Sequence, residues 1–358
     1  MMDKVEKITA KITGIEYTPF LCRKLRSFKL EELQKAISKQ ATFILKANDK
    51  KEVALSWWVS AKRTRSYPYA RVYDSLGITG KKVTIIPIFK DEGIEGDRDF
   101  LQWDTISLMS LLDVYVIVAY YSDAIQSSRY ERKITKQRFD TKYLNEQINK
   151  LLSYQSSALH WNVAQIDNIW EIGKKALDSY EKISKKLGVE MHSKKSAEKR
   201  IEELKKGKNV FMALSRGLAK LAQKRESVTI QPKEHLDGIK GTITITNYLG
   251  GNYYFTSDEV ELHDNNLWLI DAKHTKTDNL PSLEDIKDGL LKMMLFTNLK
   301  EVKIDGKNLN PIPILKLTTG DNFSFEKLND GQKKLLEILK KEAKTNGFKI
   351  LLNKEFIN

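Results

Sequence analysis

Acidic side chains and one lysine are concentrated in residues 257–274, a short segment that reads SDEVELHDNNLWLIDAKH. Side chains alternate between the two faces of a strand, so Glu259 and Glu261 share one face of the first strand. Asp271 and Lys273 share one face of the next strand for the same reason. The HDNN sequence between them predicts a tight turn. About ten residues separate Glu261 from Asp271, so we expect these two carboxylates to lie opposite each other, with Lys273 beside them.

Two carboxylates that converge repel each other unless a cation lies between them. A hard divalent ion with oxygen ligands, typically Mg²⁺, is the natural partner. Such an ion lowers the pKa of a bound water and stabilises charge on a phosphate under attack. A neighbouring lysine adds positive charge at that phosphate or positions the water. These residue types therefore predict a centre for phosphodiester hydrolysis formed by Glu261, Asp271 and Lys273.

The same segment resembles the PD-(D/E)XK nuclease superfamily, which includes most type II restriction endonucleases. The second half of that motif matches the DAK triplet that begins at Asp271. In the first half, EVEL resembles the E-I-D-L form often found there, which makes Glu261 the metal-binding acid, with Glu in place of Asp. Asp258 is the rival first acid, because the SD pair stands where a strict P-D would be, with Ser in place of Pro.

The resemblance covers residues 241–352 and implies a restriction-endonuclease-like core, a mixed β-sheet flanked by helices in an α/β (α+β) fold. It implies Mg²⁺ as the cofactor, held by the first acid, by Asp271 and by the backbone carbonyl of Ala272, with Lys273 assisting the attacking water. Auxiliary residues beside these are Glu259 and His274. The helix before the strands often adds a glutamate in this family; the candidates are Glu202, Glu203 and Glu226.

Three predicted strands must position these residues. GTITITNYL, YYFTSDEVEL and LWLIDAKH are joined by short turns, which predicts an antiparallel meander. Ser282 is the predicted N-cap of a helix over about 283–298, because acidic residues follow it in the first turn. A strand over 311–317, a helix over about 326–344 and a strand over 348–352 follow.

The first half of the chain predicts a further α/β region. Apolar residues at helical spacing predict a helix over 29–47. The segments at 52–59, 81–90 and 114–121 are predicted strands. We expect residues 1–190 to form an N-terminal α/β region for DNA recognition or dimerisation, and residues 191–358 to form the catalytic core.

The net charge of +14 is concentrated in two stretches. Residues 1–70 and 171–228 each carry a net charge of +8, whereas residues 71–170 and 229–358 each carry −1. Lysine and arginine neutralise phosphates, so the two basic stretches predict contact with nucleic acid; solvated lysine-rich helix faces are the alternative.

Aromatic residues are interleaved with cations near residue 65, a composition that suits stacking and phosphate contacts, although buried aromatics flanked by solvated charges fit equally well. The candidate DNA-binding residues there are Lys62, Arg63, Arg65 and Arg71. The acidic loop 91–99 is a candidate second metal site, but it does not have EF-hand spacing, and a strand-to-helix loop with solvated carboxylates is the favoured interpretation.

Several classes of protein are disfavoured. The single cysteine, Cys22, excludes an intrachain disulfide or thiolate metal cluster and indicates a reducing, cytoplasmic setting. The five histidines lack zinc-site spacing, and the chain has neither a P-loop nor a GxGxxG motif. No apolar stretch reaches the length of a membrane span, and the N-terminus lacks a signal-peptide pattern, so we expect no membrane association.

The combined expectation is a type II site-specific deoxyribonuclease that cuts double-stranded DNA with Mg²⁺, acts as a homodimer and is accompanied by a DNA methyltransferase encoded nearby. Alternatives are a repair or mobile-element nuclease of the same fold, a catalytically inactive DNA-binding protein, and a protein that binds or cleaves RNA. A surface hairpin with solvated charges is the structural alternative for the acidic segment itself.

Overall fold

The computed structural model describes residues 6–48, 51–61, 66–205, 239–247 and 252–358. Two compact units are present: a terminal unit, formed by Met1–Arg23 and Gly217–Asn358, and a central unit, formed by Lys24–Arg216. Both contain helices and strands, which confirms the coarse prediction of a mixed α/β protein. No helix in the described ranges is long and apolar enough to cross a membrane.

The elements are numbered along the chain. The strands are β1 (Glu6–Ile12), β2 (Ser27–Lys29), β3 (Thr42–Asn48), β4 (Lys51–Trp57), β5 (Lys81–Pro87), β6 (Phe89–Asp91), β7 (Arg98–Phe100), β8 (Val114–Ala119), β9 (Tyr121–Gln126), β10 (Ile134–Phe139), β11 (Ile239–Asn247), β12 (Asn252–His263), β13 (Asn266–His274), β14 (Lys300–Ile304), β15 (Lys307–Asn308), β16 (Asn310–Thr318), β17 (Lys349–Leu352) and β18 (Glu355–Phe356). The helices are α1 (Leu33–Lys39), α2 (Ser66–Leu76), α3 (Trp103–Leu111), α4 (Thr141–Ser153), α5 (Ala158–Asp167), α6 (Ile169–Leu187), α7 (Lys194–Lys205), α8 (Leu283–Phe296) and α9 (Asp330–Asn346).

The central unit is built on a sheet whose described strands run in the order β2-β3-β4-β5-β8. Strands β4, β5 and β8 are parallel, and β8 is buried along its whole length. Such a strand has no polar face, which explains its continuous run of apolar and aromatic residues. The predicted helix over 29–47 is wrong in its second half, because α1 ends at Lys39 and β3 follows. Phe43 lies opposite Leu55 of β4 and is completely buried, so strand pairing overrides the helical spacing.

The terminal unit contains a sheet whose described strands run in the order β15-β14-β1-β11-β12-β13-β16-β17-β18. Strands β11, β12 and β13 form the predicted antiparallel meander. Strand β16 is parallel to β13, and β17 is parallel to β16. Parallel neighbours need crossover connections, which here contain α8 and α9. Both crossovers advance in the same direction across the sheet, so right-handed connections place both helices on one face.

The predicted division into residues 1–190 and 191–358 differs from the observed units. Strand β1 lies beside β11 in the terminal unit, with Ile8 opposite Ile243 in a parallel pair. Helix α7 belongs to the central unit, where it packs against α6. Parallel pairing between strands so distant in sequence leaves no local pattern, so chain order alone does not indicate that β1 and β11 belong to one unit.

Helix α8 begins as predicted, because the Ser282 hydroxyl accepts a hydrogen bond from the Asp285 amide at 3.2 Å. Helix α9 begins with a capping box in which Asn329 and Gln332 bond each other's main-chain amides, and it ends at Gly347 with a φ of 74°. These caps fix the ends of the two helices that cover the sheet.

A buried carboxylate holds the segment after β1 against α9. Glu342 is fully buried and accepts hydrogen bonds from the Tyr17 hydroxyl at 2.8 Å, from the Phe20 amide at 3.0 Å and from the Leu21 amide at 3.2 Å. These three donors lie in a segment without regular secondary structure. Glu342 therefore supplies acceptor oxygens to main-chain amides that belong to no helix or strand.

The Glu342→Ala variant is expected to lose about 2–4 kcal/mol of unfolding free energy, because it removes a buried acceptor of three hydrogen bonds and opens a cavity. Urea denaturation of the whole chain measures this loss. Glu337→Ala is the matched control on the same helix. The Glu337 side chain is 73% exposed and its ion pair with Lys340 lies on the surface, so its loss should change stability by less than about 0.5 kcal/mol. Equal effects of the two variants would contradict the assignment.

Candidate active site

Strand β13 places Asp271 and Lys273 on the same face, as predicted. Asp271 is completely buried, and its Oδ2 atom lies 3.0 Å from the Nζ of Lys273. The Lys273 ammonium also donates to Asp288 Oδ2 of α8 at 2.6 Å. The lysine therefore bridges a carboxylate of the sheet and a carboxylate of the covering helix.

Asp258 of β12 reaches the same site. Its Oδ2 accepts a hydrogen bond from the Ala272 main-chain amide at 2.8 Å, between Asp271 and Lys273. The amide and carbonyl of one residue in an extended strand point to the same side. The Ala272 carbonyl therefore faces the same gap between β12 and β13 as the Asp258 carboxylate.

Glu261 does not lie opposite Asp271, and that geometric prediction is wrong. In the register of β12 and β13, Glu261 is paired with Trp268, three residues before Asp271. Its carboxylate is hydrogen-bonded to His263 Nε2 at 2.9 Å on the surface. Nine intervening residues are compatible with several registers, and the tight turn between His263 and Asn266 selects the one observed. Of the two candidate first acids, the structure brings Asp258 to Asp271.

A register shift explains how Asp258 reaches the site. The pairing of β12 with β11 shifts between Ser257 and Val260, which is the pattern of a β-bulge. Bulges redirect side chains and are frequent next to functional sites. The buried Ser257 hydroxyl lies 2.8 Å from the main-chain carbonyls of both Glu259 and Ile270. The serine thus ties the shifted stretch of β12 to β13.

Helix α8 contributes two charged residues that the motif did not reveal. Asp288 is buried and pairs with Lys273, and Lys292 forms an ion pair and a hydrogen bond with Asp271 Oδ1. The spacing of four residues places both on one side of the helix. Gly289 lies between them, and a Cβ there would be 3.2 Å from Asp271 Oδ2 and 2.6 Å from Leu315 Cδ1. Glycine therefore permits the helix to approach the sheet at this point.

The charges of the site shift one another's pKa values in opposite directions. Burial raises the pKa of Asp258 to about 6. Burial would also raise the pKa of Asp271, but the ammonium groups of Lys273 and Lys292 lower it to about 2. Burial opposes the charge of both lysines, yet the attraction of Asp271 holds each lysine's pKa above its ordinary value. Asp271 and the two lysines therefore remain charged at neutral pH.

The donor set fits one small divalent cation. No group of three or more His, Cys, Asp or Glu side chains in the described ranges is arranged to hold a metal ion. The carboxylates of Asp258 and Asp271 and the Ala272 carbonyl nevertheless supply three oxygens of the kind Mg²⁺ prefers, and Mg²⁺ commonly keeps several waters. Asp271 Oδ2 is fully buried and, among the residues that the structure describes, accepts no hydrogen bond of good geometry, although the Lys273 ammonium lies 3.0 Å away.

The two auxiliary candidates lie away from these carboxylates. Glu259 is buried and accepts a hydrogen bond from the Lys316 ammonium at 2.6 Å. Lys316 is the register partner of Ala272 and therefore lies on the sheet face opposite Asp271 and Lys273. His274 is half-buried, and its Nδ1 lies 2.9 Å from the Thr318 hydroxyl. Both residues stabilise the pairing of β12, β13 and β16.

Three of the four candidate DNA-binding residues, Lys62, Arg63 and Arg65, lie outside the described residues. The fourth, Arg71 of α2, donates to the Trp57 carbonyl at 2.6 Å and lies over the Trp57 ring. Among the candidate glutamates, Glu202 is exposed on α7 of the central unit, whereas Glu226 and the side chain of Glu203 lie outside the described part.

The acidic loop of the central unit is less solvated than predicted. Asp91 is buried, and its Oδ1 accepts a hydrogen bond from the Gly93 amide at 2.9 Å and lies 2.7 Å from His192 Nδ1. Glu92 forms ion pairs with Lys90 and Lys133. These hydrogen bonds and ion pairs give the loop a structural explanation.

Comparisons of the chain with protein-family models, with curated proteins and with solved structures found no match to any of them.

Proposed function

We propose that this protein is a Mg²⁺-dependent endonuclease that hydrolyses phosphodiester bonds of double-stranded DNA. One observation carries the proposal: the Asp258 carboxylate is bonded to the Ala272 amide, between the buried Asp271 and the charged Lys273. Two acids and a lysine on adjacent strands match the PD-(D/E)XK pattern, with Asp258 as the first acid. The meander, the capped helix α8 and the parallel strand β16 support a restriction-endonuclease-like core.

Each residue has a defined part in this proposal. Asp258, Asp271 and the Ala272 carbonyl would hold the metal, which supplies an activated water and neutralises charge on the phosphate. Lys273 keeps its proton, since the attraction of Asp271 holds its pKa above the ordinary value despite burial. Its ammonium is therefore suited to stabilise the phosphate charge or to orient the water, and not to accept a proton. Asp288 fixes the position of that ammonium from α8.

The substrate and partner parts of the proposal follow from charge and symmetry. The two basic stretches, 1–70 and 171–228, would neutralise backbone phosphates of the duplex. A homodimer would bring two active sites to the two strands, which a sequence-specific type II enzyme requires. Such an enzyme would be paired with a DNA methyltransferase that protects the host's own sites.

The direct experiment is digestion of a mapped plasmid by the full chain in Mg²⁺, in EDTA, and with an Asp271→Asn control. We expect wild type to cleave in Mg²⁺ and not in EDTA. The Asp271→Asn control should cleave at least about 1,000-fold more slowly, because the Asp271 carboxylate that it lacks would bind the metal and balances the charge of two lysines. Discrete fragments support the restriction type, and a smear supports a nuclease of low sequence preference. Salt-sensitive DNA binding with no cleavage in Mg²⁺ or Mn²⁺ would overturn the enzyme in favour of an inactive DNA-binding protein.

A further inference from the structure

Both oxygens of the Asp271 carboxylate face an ammonium group. Oδ2 lies 3.0 Å from Lys273 Nζ, and Oδ1 is paired with Lys292 Nζ. Asp271 is completely buried, and the side chains of the two lysines are 12% and 17% exposed. A single buried carboxylate therefore has two lysines as counter-ions, one from the sheet and one from α8.

The two lysines are held differently. Lys273 has a second hydrogen-bonded carboxylate, Asp288, at 2.6 Å. Among the residues that the structure describes, Lys292 donates its side-chain hydrogen bond to Asp271 and has no second carboxylate acceptor. A cation that enters beside Asp271 leaves Lys273 anchored to Asp288, but it competes with Lys292 for Asp271 Oδ1. The side chain of Lys292 is long and flexible, so its ammonium can withdraw without movement of the helix backbone.

We infer that Lys292 is the counter-ion of Asp271 in the metal-free protein and that a divalent cation displaces its ammonium from Oδ1 on binding. This inference rests on the proposed metal site and names the residue that sets its affinity. Lys273 is shared between Asp271 and Asp288, so Lys292 completes the charge balance of the buried carboxylates when no metal is present. The same ammonium repels an arriving cation and has to give up its ion pair, so it weakens metal binding.

Calorimetric titration of the full-length protein with Ca²⁺, without DNA, tests this role apart from catalysis. Lys292→Met keeps the length of the side chain and removes its charge. We expect this variant to bind Ca²⁺ at least about tenfold more tightly than wild type, because a nearby positive charge is gone. Its melting temperature should be lower than that of wild type in EDTA, and Ca²⁺ should raise it by a larger amount.

Lys316→Met is the matched control, because it also removes a buried lysine from an ion pair, with Glu259 on the other face of the sheet. Its Ca²⁺ affinity should stay within about twofold of wild type, since its charge does not face the metal ligands. If Lys292→Met does not fold, Lys292→Gln replaces it, because the amide can still donate to Asp271.

The outcomes separate this inference from the proposed function. If wild type binds Ca²⁺ as tightly as the Lys292 variant or more tightly, the displacement of Lys292 is wrong, and the proposed metal site stands. Absence of Ca²⁺ binding to both proteins, up to millimolar concentrations, overturns the metal site and the displacement together. Tighter binding in the Lys292 variant alone, with Lys316→Met unchanged, supports the inference.

Discussion

Asp258→Asn is expected to cleave plasmid DNA at least about 1,000-fold more slowly than wild type in Mg²⁺, because it removes one of the two carboxylates proposed to bind the metal. Glu261→Gln is expected to cleave within about threefold of the wild-type rate, because loss of a surface hydrogen bond has little effect on a distant site. The pair is informative because the two residues are three positions apart on the same strand, yet only Asp258 bonds the Ala272 amide.

Folding does not confound this comparison. The asparagine carbonyl can still accept the hydrogen bond from Ala272, and burial already raises the pKa of the Asp258 carboxyl. Replacing a charge that burial disfavours should therefore leave the metal-free protein at least as stable as wild type. Rates under single-turnover conditions, with circular dichroism of each variant, provide the measurement. An inactive Glu261→Gln beside an active Asp258→Asn would make Glu261 the first acid and contradict the observed register.

Local patterns in the sequence predicted the elements that surround the site. The strands of the meander and helix α8 agree with the predictions to within about two residues, because turn residues, alternation and an N-cap serine mark them directly. The segment 29–47 shows the limit of such patterns. Leu30, Leu33 and Ile37 have helical spacing, but Phe43 and Leu45 are two residues apart, which is the spacing of a strand, and they pair with β4.

The sequence predicted the second half of the motif and left the first half open. Asp271 and Lys273 follow from alternation on one strand, which needs no knowledge of a partner. The choice between Asp258 and Glu261 depends on the register of β12 against β13 and on a bulge beside Ser257. Neither leaves a periodic signal in the sequence, so a motif of fixed residue types cannot resolve it.

The residues of α8 were missed for a different reason. Asp288 and Lys292 are spaced four apart, which on an amphipathic helix usually indicates a solvated ion pair. Here nearly every residue from Ile286 to Phe296 is buried. Charged residues within a helix that is otherwise apolar, directly after a DAK strand, were the available signal. Such residues need partners in the core, and the nearest candidates were Asp271 and Lys273.

Lys273→Met is expected to reduce the cleavage rate in Mg²⁺ by at least about 1,000-fold while Ca²⁺ binding is retained, because the variant keeps the proposed carboxylate ligands and removes the ammonium proposed to stabilise the transition state. The attraction of Asp271, against burial, keeps the pKa of Lys273 high. The lysine therefore acts as a charge and not as a metal ligand, so rate and affinity should separate. The Asp271→Asn variant should lose both cleavage rate and Ca²⁺ affinity, which distinguishes a metal ligand from a residue that acts through its charge.

Lys316→Met controls for the loss of a buried lysine, since it breaks the ion pair with Glu259 on the opposite face and leaves the candidate ligands in place. We expect lower stability but a cleavage rate within about threefold of wild type, because that ion pair does not face the phosphate. Single-turnover rates and Ca²⁺ titrations of both variants give the comparison. If Lys273→Met cleaves as fast as wild type, this lysine takes no part in the chemistry. The proposal that β13 is the catalytic strand would then also be wrong.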